Sequence, residues 1–279
     1  MAVRGASLDE IQTSPISPCP ISPLTEASPE LAPARRLLEE YSGIAPEDVD
    51  AHMQAIRTKA SRISHYGAFN SLSFLNLSPV LHDPRFQTIT TLLNFPSSTT
   101  TFLDVGCSLG LVVRHLAAAG VPSTRLYGTD INADLLALGY DLFRDRETSL
   151  ATFIAGDMLG DDAALDALNG TVDFIYASAF FHLFERAGQV TAAKRMVGFL
   201  REPVGGGTGN RDGNGAVPVI FGVNGGPKIQ GWERYVLDAE AWRAVWEEVG
   251  IATGTRWRTE MEVESGEAWV WVKFGVYRV

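Results

Sequence analysis

Short apolar segments alternate with segments of helical periodicity from Thr100 to the C-terminus of the chain. Continuous apolar strands separated by helices are typical of a parallel sheet, because the crossover helices cover both of its faces. The sequence therefore predicts an α/β domain with a doubly wound sheet. Its first five strands are predicted at TFLDV, RLYGT, ATFIA, VDFIYA and VPVIFGV.

The last two predicted strands, TRWRTEMEV and AWVWVKFGVYRV, alternate in polarity and are joined near Ser265 and Gly266. Such alternation with a short connection predicts an antiparallel hairpin. We therefore expect a seven-stranded, mostly parallel, Rossmann-like sheet with an antiparallel C-terminal strand, so that the sheet ends in an antiparallel edge strand. The glycine-rich segment 205–215 follows no strand directly and precedes no helix, which favours a surface loop over a phosphate-binding loop.

Two regions of different character precede the sheet. Residues 11–33 hold six of the 14 prolines of the chain, and proline stops both helices and sheets from propagating. Residues 1–33 are therefore predicted to be a disordered tail. Residues 34–97 contain helical patterns and are predicted to form a lid or substrate segment, and residues 98–279 form the main domain.

Composition excludes several classes of protein. The 33 acidic and 23 basic residues give a formal net charge of −10, which argues against a nucleic-acid partner. No apolar run approaches the roughly 18–20 residues of a membrane span, so we expect no membrane insertion. The only cysteines, Cys19 and Cys107, exclude a disulfide framework and a four-cysteine zinc site. A reduced, cytoplasmic protein without a metal is expected.

Ligands of doubly wound sheets bind beyond the carboxyl ends of the strands. The first predicted strand ends in Gly106 and Gly110, which allow a tight turn and a close approach to a ligand. Asp130 ends the second strand and can accept both hydrogens of a ribose diol. Asp157 ends the third strand and could accept from an adenine amino group, and Met158 could pack on the ring face.

The turn after the first strand distinguishes between nucleotides. Ser108 stands where a dinucleotide-binding motif has its second glycine, which makes room for a pyrophosphate. Asp104 would repel a pyrophosphate but would attract the ammonium group of a methionine moiety. The charge therefore favours S-adenosylmethionine (SAM) over NAD.

The motifs LDVGCSLG, TDIN and GDM resemble those of class I SAM-dependent methyltransferases. The segments HMQAIRTKASRISHYGAFNSLSFLNL and VDFIYASAFFHLF are similar to the fungal methyltransferases of polyketide and meroterpenoid biosynthesis. Some members of that family, of the austinol-pathway type, esterify a carboxylate, and others methylate an enol or alcohol hydroxyl. The resemblance extends from about Ala51 to Trp257.

The resemblance implies a role for individual residues. Asp104 and Gly106 would face the methionine part of SAM, Asp130 would hold the ribose, and Tyr66 would reach over the cofactor. Cys107 is interpreted chiefly as packing within the turn. The full set of predicted cofactor-binding residues is Tyr66, Asp104, Gly106, Cys107, Ser108, Gly110, Asp130, Ile131, Asp157, Met158, Ala177 and Ser178, with Ile131 on the adenine and with Ala177 and Ser178 beside the sulfonium.

Methyl transfer is an in-line displacement that mainly needs alignment of the nucleophile and exclusion of water. A hydroxyl acceptor also benefits from a base, and His182 is the best candidate because histidine titrates near neutral pH. His182 could instead be a packing residue, and Glu185 could orient its ring or only begin the next helix. The predicted substrate residues are His65, Phe69 and Phe181, within an apolar wall that includes Phe74, Phe180 and Phe184.

These observations predict a SAM-dependent O-methyltransferase that releases S-adenosyl-L-homocysteine. Its acceptor would be a carboxylate or an enol, phenol or alcohol hydroxyl of a small, apolar secondary metabolite. One alternative is a SAM-binding pathway protein that does not methylate, such as a cyclase or a regulator. A less favoured alternative is an NAD-dependent oxidoreductase. The sequence leaves the oligomeric state open.

Overall fold

The computed structural model of the protein describes residues 24–202, 219–227, 238–265 and 269–279. The predicted loop 205–215 and the first 23 residues of the predicted tail lie outside these ranges. No helix in the described ranges has the length and apolar character that crossing a membrane requires.

Seven strands form a single sheet in the order β3-β2-β1-β4-β5-β7-β6. Strands β1 to β5 pair in parallel, and β7 pairs antiparallel with both β5 and β6. This topology confirms the predicted class I methyltransferase sheet with its antiparallel C-terminal strand. The strands are β1 (Phe102–Val105), β2 (Leu126–Asp130), β3 (Thr152–Ala155), β4 (Phe174–Tyr176), β5 (Ile220–Pro227), β6 (Trp257–Ser265) and β7 (Trp269–Arg278).

The sequence left open which strand of the predicted hairpin forms the edge of the sheet. The C-terminal strand β7 lies between β5 and β6, and β6 is the edge strand. The reason is burial, because β7 contributes Val272, Phe274 and Val276 to the interior. In contrast, β6 is largely exposed and carries charged side chains such as Arg258 and Glu264 that suit an unpaired edge.

The α-helices lie in the N-terminal region and between the strands. The N-terminal region contributes four of them, α1 to α4, together with several short 3₁₀ turns. The helices are α1 (Ala32–Glu40), α2 (Val49–Ile63), α3 (Ser78–Leu81), α4 (Pro84–Leu93), α5 (Leu111–Ala118), α6 (Ala133–Phe143), α7 (Arg186–Phe199) and α8 (Ala239–Thr253).

The N-terminal region shares one hydrophobic core with the sheet. Its buried residues pack in the same cluster as α5, α6 and one face of the sheet. The ring of Phe86 on α4 shows this contact, since it lies 6.4 Å from the rings of Phe102 and Tyr176 and 6.5 Å from that of Phe221. Helices α7 and α8 contribute to a second core that includes Phe274 on the sheet. The N-terminal region is thus part of one folded unit with the sheet.

The predicted disordered tail extends too far along the chain. Residues 24–33 are packed, with Leu24 and Leu31 buried in the core that the sheet shares. The carbonyl of Leu24 accepts a hydrogen bond from the amide of Leu72 at 3.2 Å. Proline is compatible with this order because Pro33 lies in the first turn of α1, where its missing N–H has no intrahelical partner.

Candidate active site

A mostly apolar cavity lies at the carboxyl ends of the first four strands. One wall is the segment 64–69 that follows α2, and another is the segment 179–184 that follows β4. The cavity brings together many of the residues that sequence analysis predicted for the cofactor and substrate. These are His65, Tyr66, Phe69, Gly106, Ser108, Asp130, Ile131, Asp157 and Met158.

The turn after β1 is held against the end of β2. The amides of Gly106 and Cys107 both donate to the carbonyl of Thr129, at 2.8 and 3.0 Å. Gly106, Ser108 and Gly110 all have a positive φ, of 71°, 52° and 70°. Such a φ is strained for serine, and strain of this kind persists only where the surroundings hold it. Gly106 is required for a second reason, because a Cβ there would lie 2.9 Å from the Phe180 ring.

Asp130 connects this turn to the start of α6. Its Oδ2 accepts from the amide of Ser108 and its Oδ1 from the amide of Asn132, both at 2.9 Å. The amide of Ile131 also bonds this carboxylate. Since a carboxylate has about four lone-pair sites, Asp130 can still accept a hydrogen bond from a ligand on the cavity side. Burial raises the pKa of Asp130, and the bonds from the backbone amides oppose that shift.

Asp104 lies behind the cavity, and its side chain is almost completely buried. Burial, and then the nearby charge of Asp130, raise the pKa of Asp104 well above its usual range. A cation placed beside the two carboxyl groups would restore their ionised form, because opposite charge favours the charged state. The pair therefore fits a positively charged ligand group such as the ammonium or sulfonium of SAM.

The end of β3 supplies a second side of the cavity. The Oδ1 of Asp157 accepts from the amide of Leu159 at 2.8 Å, which fixes the loop after the strand. Arg195 on α7 donates to the carbonyl of Asp157 at 3.2 Å and also to those of Gly160 and Asp162. The loop thereby presents Met158 to the cavity.

Ile131 stands out because it exposes 36% of its surface while it lines this cavity. An exposed, branched apolar side chain next to Asp130 offers a surface for a flat ring. Together with Met158 it fits an adenine, whose faces are apolar and whose ribose would reach the Asp130 carboxylate. The residues at these three strand ends thus fit the nucleoside part of SAM.

Two residues of the predicted turn do not line the cavity. Cys107 is buried, and burial raises the pKa of its thiol well above the usual range. It packs beneath the turn, where a Cβ added at Gly128 would lie 2.8 Å from its Sγ. Gly110 forms the N-cap of α5, and a Cβ there would lie 2.5 Å from both Arg114 and Phe153. Both residues shape the turn from behind.

Ala177 and Ser178, which were predicted to lie beside the sulfonium, do not line the cavity. The Ala177 amide donates to the carbonyl of Phe221, and the Ser178 hydroxyl donates to that of Val223. The cavity is lined instead by Ala179, which has a φ of 51°, and by Phe180. Six further residues that were not predicted from the sequence also line the cavity, namely Ser64, Thr129, Asn132, Leu135, Gly156 and Leu183.

Phe181, a predicted substrate residue, is fully buried and packs in the second core. Its ring centroid lies 5.0 Å from that of Trp242 and 5.7 Å from that of Phe274. Its neighbours Phe180 and Phe184 line the cavity in its place. Around the short 3₁₀ helix Phe181–Leu183, Leu183 lines the cavity whereas Phe181 packs in the second core.

His182 is buried and does not line the cavity. Its Nδ1 accepts a hydrogen bond from the amide of Gly225 at 3.2 Å. Burial lowers the pKa of His182 to about 4, so the ring is neutral at physiological pH. A neutral ring that accepts at Nδ1 carries its proton on Nε2, which makes that nitrogen a donor. Glu185 is exposed and occupies the N-cap position of α7.

Comparisons with known proteins identify the family of the chain. Residues 22–75 match a family model described as a meroterpenoid methyltransferase N-terminal domain, and residues 102–203 match a methyltransferase domain model. The chain is 39% identical over 246 residues to the O-methyltransferase phiE of a fungal species, covering 87% of this chain and 80% of phiE. The chain belongs to the class I SAM-dependent methyltransferases of the meroterpenoid type.

Other relatives of this methyltransferase come from fungi as well. It is 33% identical over 257 residues to the O-methyltransferase atr3 of Stereocaulon alpinum, covering 88% of this chain and 70% of atr3. It is 34% identical over 234 residues to the asnovolin E/chermesin D methyltransferase nvfJ of Aspergillus novofumigatus, covering 82% and 80%. Membership of this family argues against the two alternatives considered above, an NAD-dependent oxidoreductase and a SAM-binding protein that does not methylate.

Within the described residues, no group of three or more His, Cys, Asp or Glu side chains is placed to hold a metal ion.

The carboxylate of Asp130 is predicted to be essential for SAM binding. Asp130→Asn keeps one acceptor oxygen but replaces the other with a donor that must face the amide of either Ser108 or Asn132, so we expect SAM affinity to fall by about 100-fold or more. Isothermal titration with SAM measures this loss. Asp134→Asn, an exposed substitution in the first turn of α6, is the matched control. Equal SAM affinity in both variants would contradict the assignment.

The buried, neutral state of His182 predicts a specific dependence of stability on pH. The unfolded chain binds a proton on His182 below about pH 6.5, whereas the folded chain does so only below about pH 4. The free energy of unfolding therefore falls as the pH is lowered through this window. His182→Asn has no imidazole to protonate, so its free energy of unfolding does not fall with pH for this reason. The difference in free energy of unfolding between wild type and His182→Asn should therefore be about 1–2 kcal/mol smaller at pH 5 than at pH 7.

Urea unfolding of both proteins at the two pH values measures the difference. A deficit that is the same at pH 7 and pH 5 would mean that His182 titrates normally in the folded protein.

Proposed function

We propose that this methyltransferase binds SAM in the cavity at the strand ends and methylates an oxygen of a small, apolar secondary metabolite. The observation that carries the proposal is the placement of Asp130, Ile131 and Met158 around one cavity that also has an aromatic wall. The strand-end residues match the polarity of the nucleoside, and the wall matches an apolar acceptor. Membership of the fungal methyltransferase family supports the same assignment.

In this proposal the cofactor lies along the carboxyl ends of β1 to β3. Asp130 accepts from the ribose hydroxyls, and Ile131 and Met158 enclose the adenine. Asp157 accepts from the adenine amino group. Asp104 gives a negative charge behind the glycine turn, on the side where the methionine part would lie.

SAM supplies an electrophilic methyl group on a sulfonium, and the protein aligns the acceptor with it and excludes water. The rings of Phe69, Phe180 and Phe184 form the aromatic part of the cavity wall and would surround the acceptor. Tyr66 and His65 add polar groups from the N-terminal wall. This wall favours a largely apolar acceptor with one oxygen group, as in a polyketide or a meroterpenoid.

The state of His182 favours a carboxylate as the acceptor. A carboxylate arrives ionised and needs no base, whereas a phenol, enol or alcohol must lose a proton during transfer. His182, the expected base, is away from the cavity and has its Nδ1 lone pair occupied by the Gly225 amide. We therefore propose that the enzyme forms a methyl ester.

Methylation of a hydroxyl is the second candidate, and one observation favours it. His65 is exposed and lines the cavity, so it could accept a proton where His182 does not.

The chemistry of the methylated product separates these two functions. The enzyme is incubated with methyl-labelled SAM and with paired polyketide-like substrates, one a carboxylic acid and one a phenol or pyrone. Mild alkali then cleaves methyl esters but leaves ethers intact. We expect the label to be released as methanol, because the site offers no base at the position of His182. Label retained in the product would contradict the ester and make His65 the candidate base.

A further inference from the structure

A buried ion pair lies directly behind the cofactor turn. Arg114 on α5 and Asp145, just after α6, are 1% and 3% exposed. The Nε of Arg114 donates to Oδ2 of Asp145 at 2.8 Å, and its Nη2 donates to Oδ1 at 3.0 Å. Two parallel bonds of this kind fix the plane of the guanidinium group.

The remaining nitrogen of Arg114 reaches the turn itself. Its Nη1 donates to the carbonyl of Leu109 at 2.9 Å and, more weakly, to that of Gly110 at 3.5 Å. The ring centroids of Phe143 and Phe153 lie 4.7 and 4.6 Å from the guanidinium carbon and enclose it. Arg114 is therefore locked in one position, and it holds two carbonyls that follow the strained Ser108.

The N-terminal region supplies a third member of this cluster. Tyr41, at the end of α1, donates its hydroxyl to Oδ2 of Asp145 at 2.9 Å. The bond spans 104 positions in the sequence, and it joins the N-terminal region to the ion pair. Burial, followed by the charge of Asp145, raises the pKa of Tyr41 to about 12, so the hydroxyl keeps its proton.

We propose that Tyr41 and Asp145 are positioning residues that act through Arg114 to hold the turn 106–110 in its SAM-binding shape. The chain of contacts runs from the Tyr41 hydroxyl through the ion pair to the carbonyls of Leu109 and Gly110. On the opposite side of the turn, the Ser108 amide donates to Asp130. The N-terminal region thereby contributes to cofactor affinity without touching the cofactor. This inference depends on the proposed SAM site at Asp130.

Tyr41→Phe tests the proposal because it removes one hydroxyl and keeps the ring. Tyr140→Phe is the matched control, since the Tyr140 ring lies 5.1 Å from the same guanidinium but its hydroxyl is not bonded to Asp145. We expect Tyr41→Phe to raise the Kd for SAM by roughly two- to tenfold, a typical range for residues that couple to a site without contacting it. Tyr41→Phe should keep the wild-type KM for the acceptor, and Tyr140→Phe should bind SAM as tightly as wild type.

A merely structural role would lower stability and leave SAM affinity unchanged. Urea unfolding and SAM titration are therefore measured on both variants. A Tyr41→Phe protein that is less stable but binds SAM as tightly as wild type would overturn the proposal. Hydrogen exchange gives a second measurement without ligand, because the amides of Ser108 and Gly110 should exchange faster in Tyr41→Phe than in Tyr140→Phe. Equal exchange would also overturn it.

Failure of the SAM site and failure of this inference give different results. If the cofactor binds elsewhere, Asp130→Asn binds SAM as tightly as wild type. If only the inference is wrong, Asp130→Asn loses SAM binding and Tyr41→Phe retains it.

Discussion

The hydrogen bond from the Ser108 amide to the Asp130 carboxylate is the contact on which the rest of the site depends. Ser108 donates this bond from a left-handed conformation, which is strained for a non-glycine residue and persists only where the surroundings hold it. Asp130 holds the cavity side, and Arg114 holds the carbonyls on the far side. The turn is thus pre-formed, so the protein does not have to order it when the cofactor arrives.

The N-terminal region and the sheet are best understood as one structure. The region buries its apolar residues in the core that α5, α6 and one face of the sheet share. Its segment 64–69 then forms a wall of the cavity, within the stretch that matches the meroterpenoid methyltransferase N-terminal domain. The hydrophobic core beneath this wall explains how an irregular segment can hold Tyr66 and Phe69 in the cavity.

The sequence predicted the parts of the site that local patterns encode. Alternating strands and helices predicted the sheet. The strand-end motifs pointed to Gly106, Asp130 and Met158, because the carboxyl ends of parallel strands meet at one edge of a sheet. The residues that line the cavity after β4 were only partly predicted, because Ala179 adopts a positive φ and a 3₁₀ helix follows, so the side-chain direction has no regular period. The Tyr41–Asp145 hydrogen bond could not be predicted either, because no local sequence pattern relates residues that are 104 positions apart.

The position of β7 shows a different limit of prediction from the sequence. Polarity alternates in both strands of the hairpin, so periodicity alone does not say which strand joins β5. The deciding factor is the amount of apolar surface, which is greater on β7 than on the charged β6.

The most direct test of the proposed SAM site is a crystal structure of the protein with S-adenosyl-L-homocysteine, the expected product. We expect the ribose hydroxyls to lie within hydrogen-bonding distance of the Asp130 carboxylate and the adenine to lie between Ile131 and Met158. A nucleoside bound away from the carboxyl ends of β1 to β3, with no contact to Asp130, would contradict it.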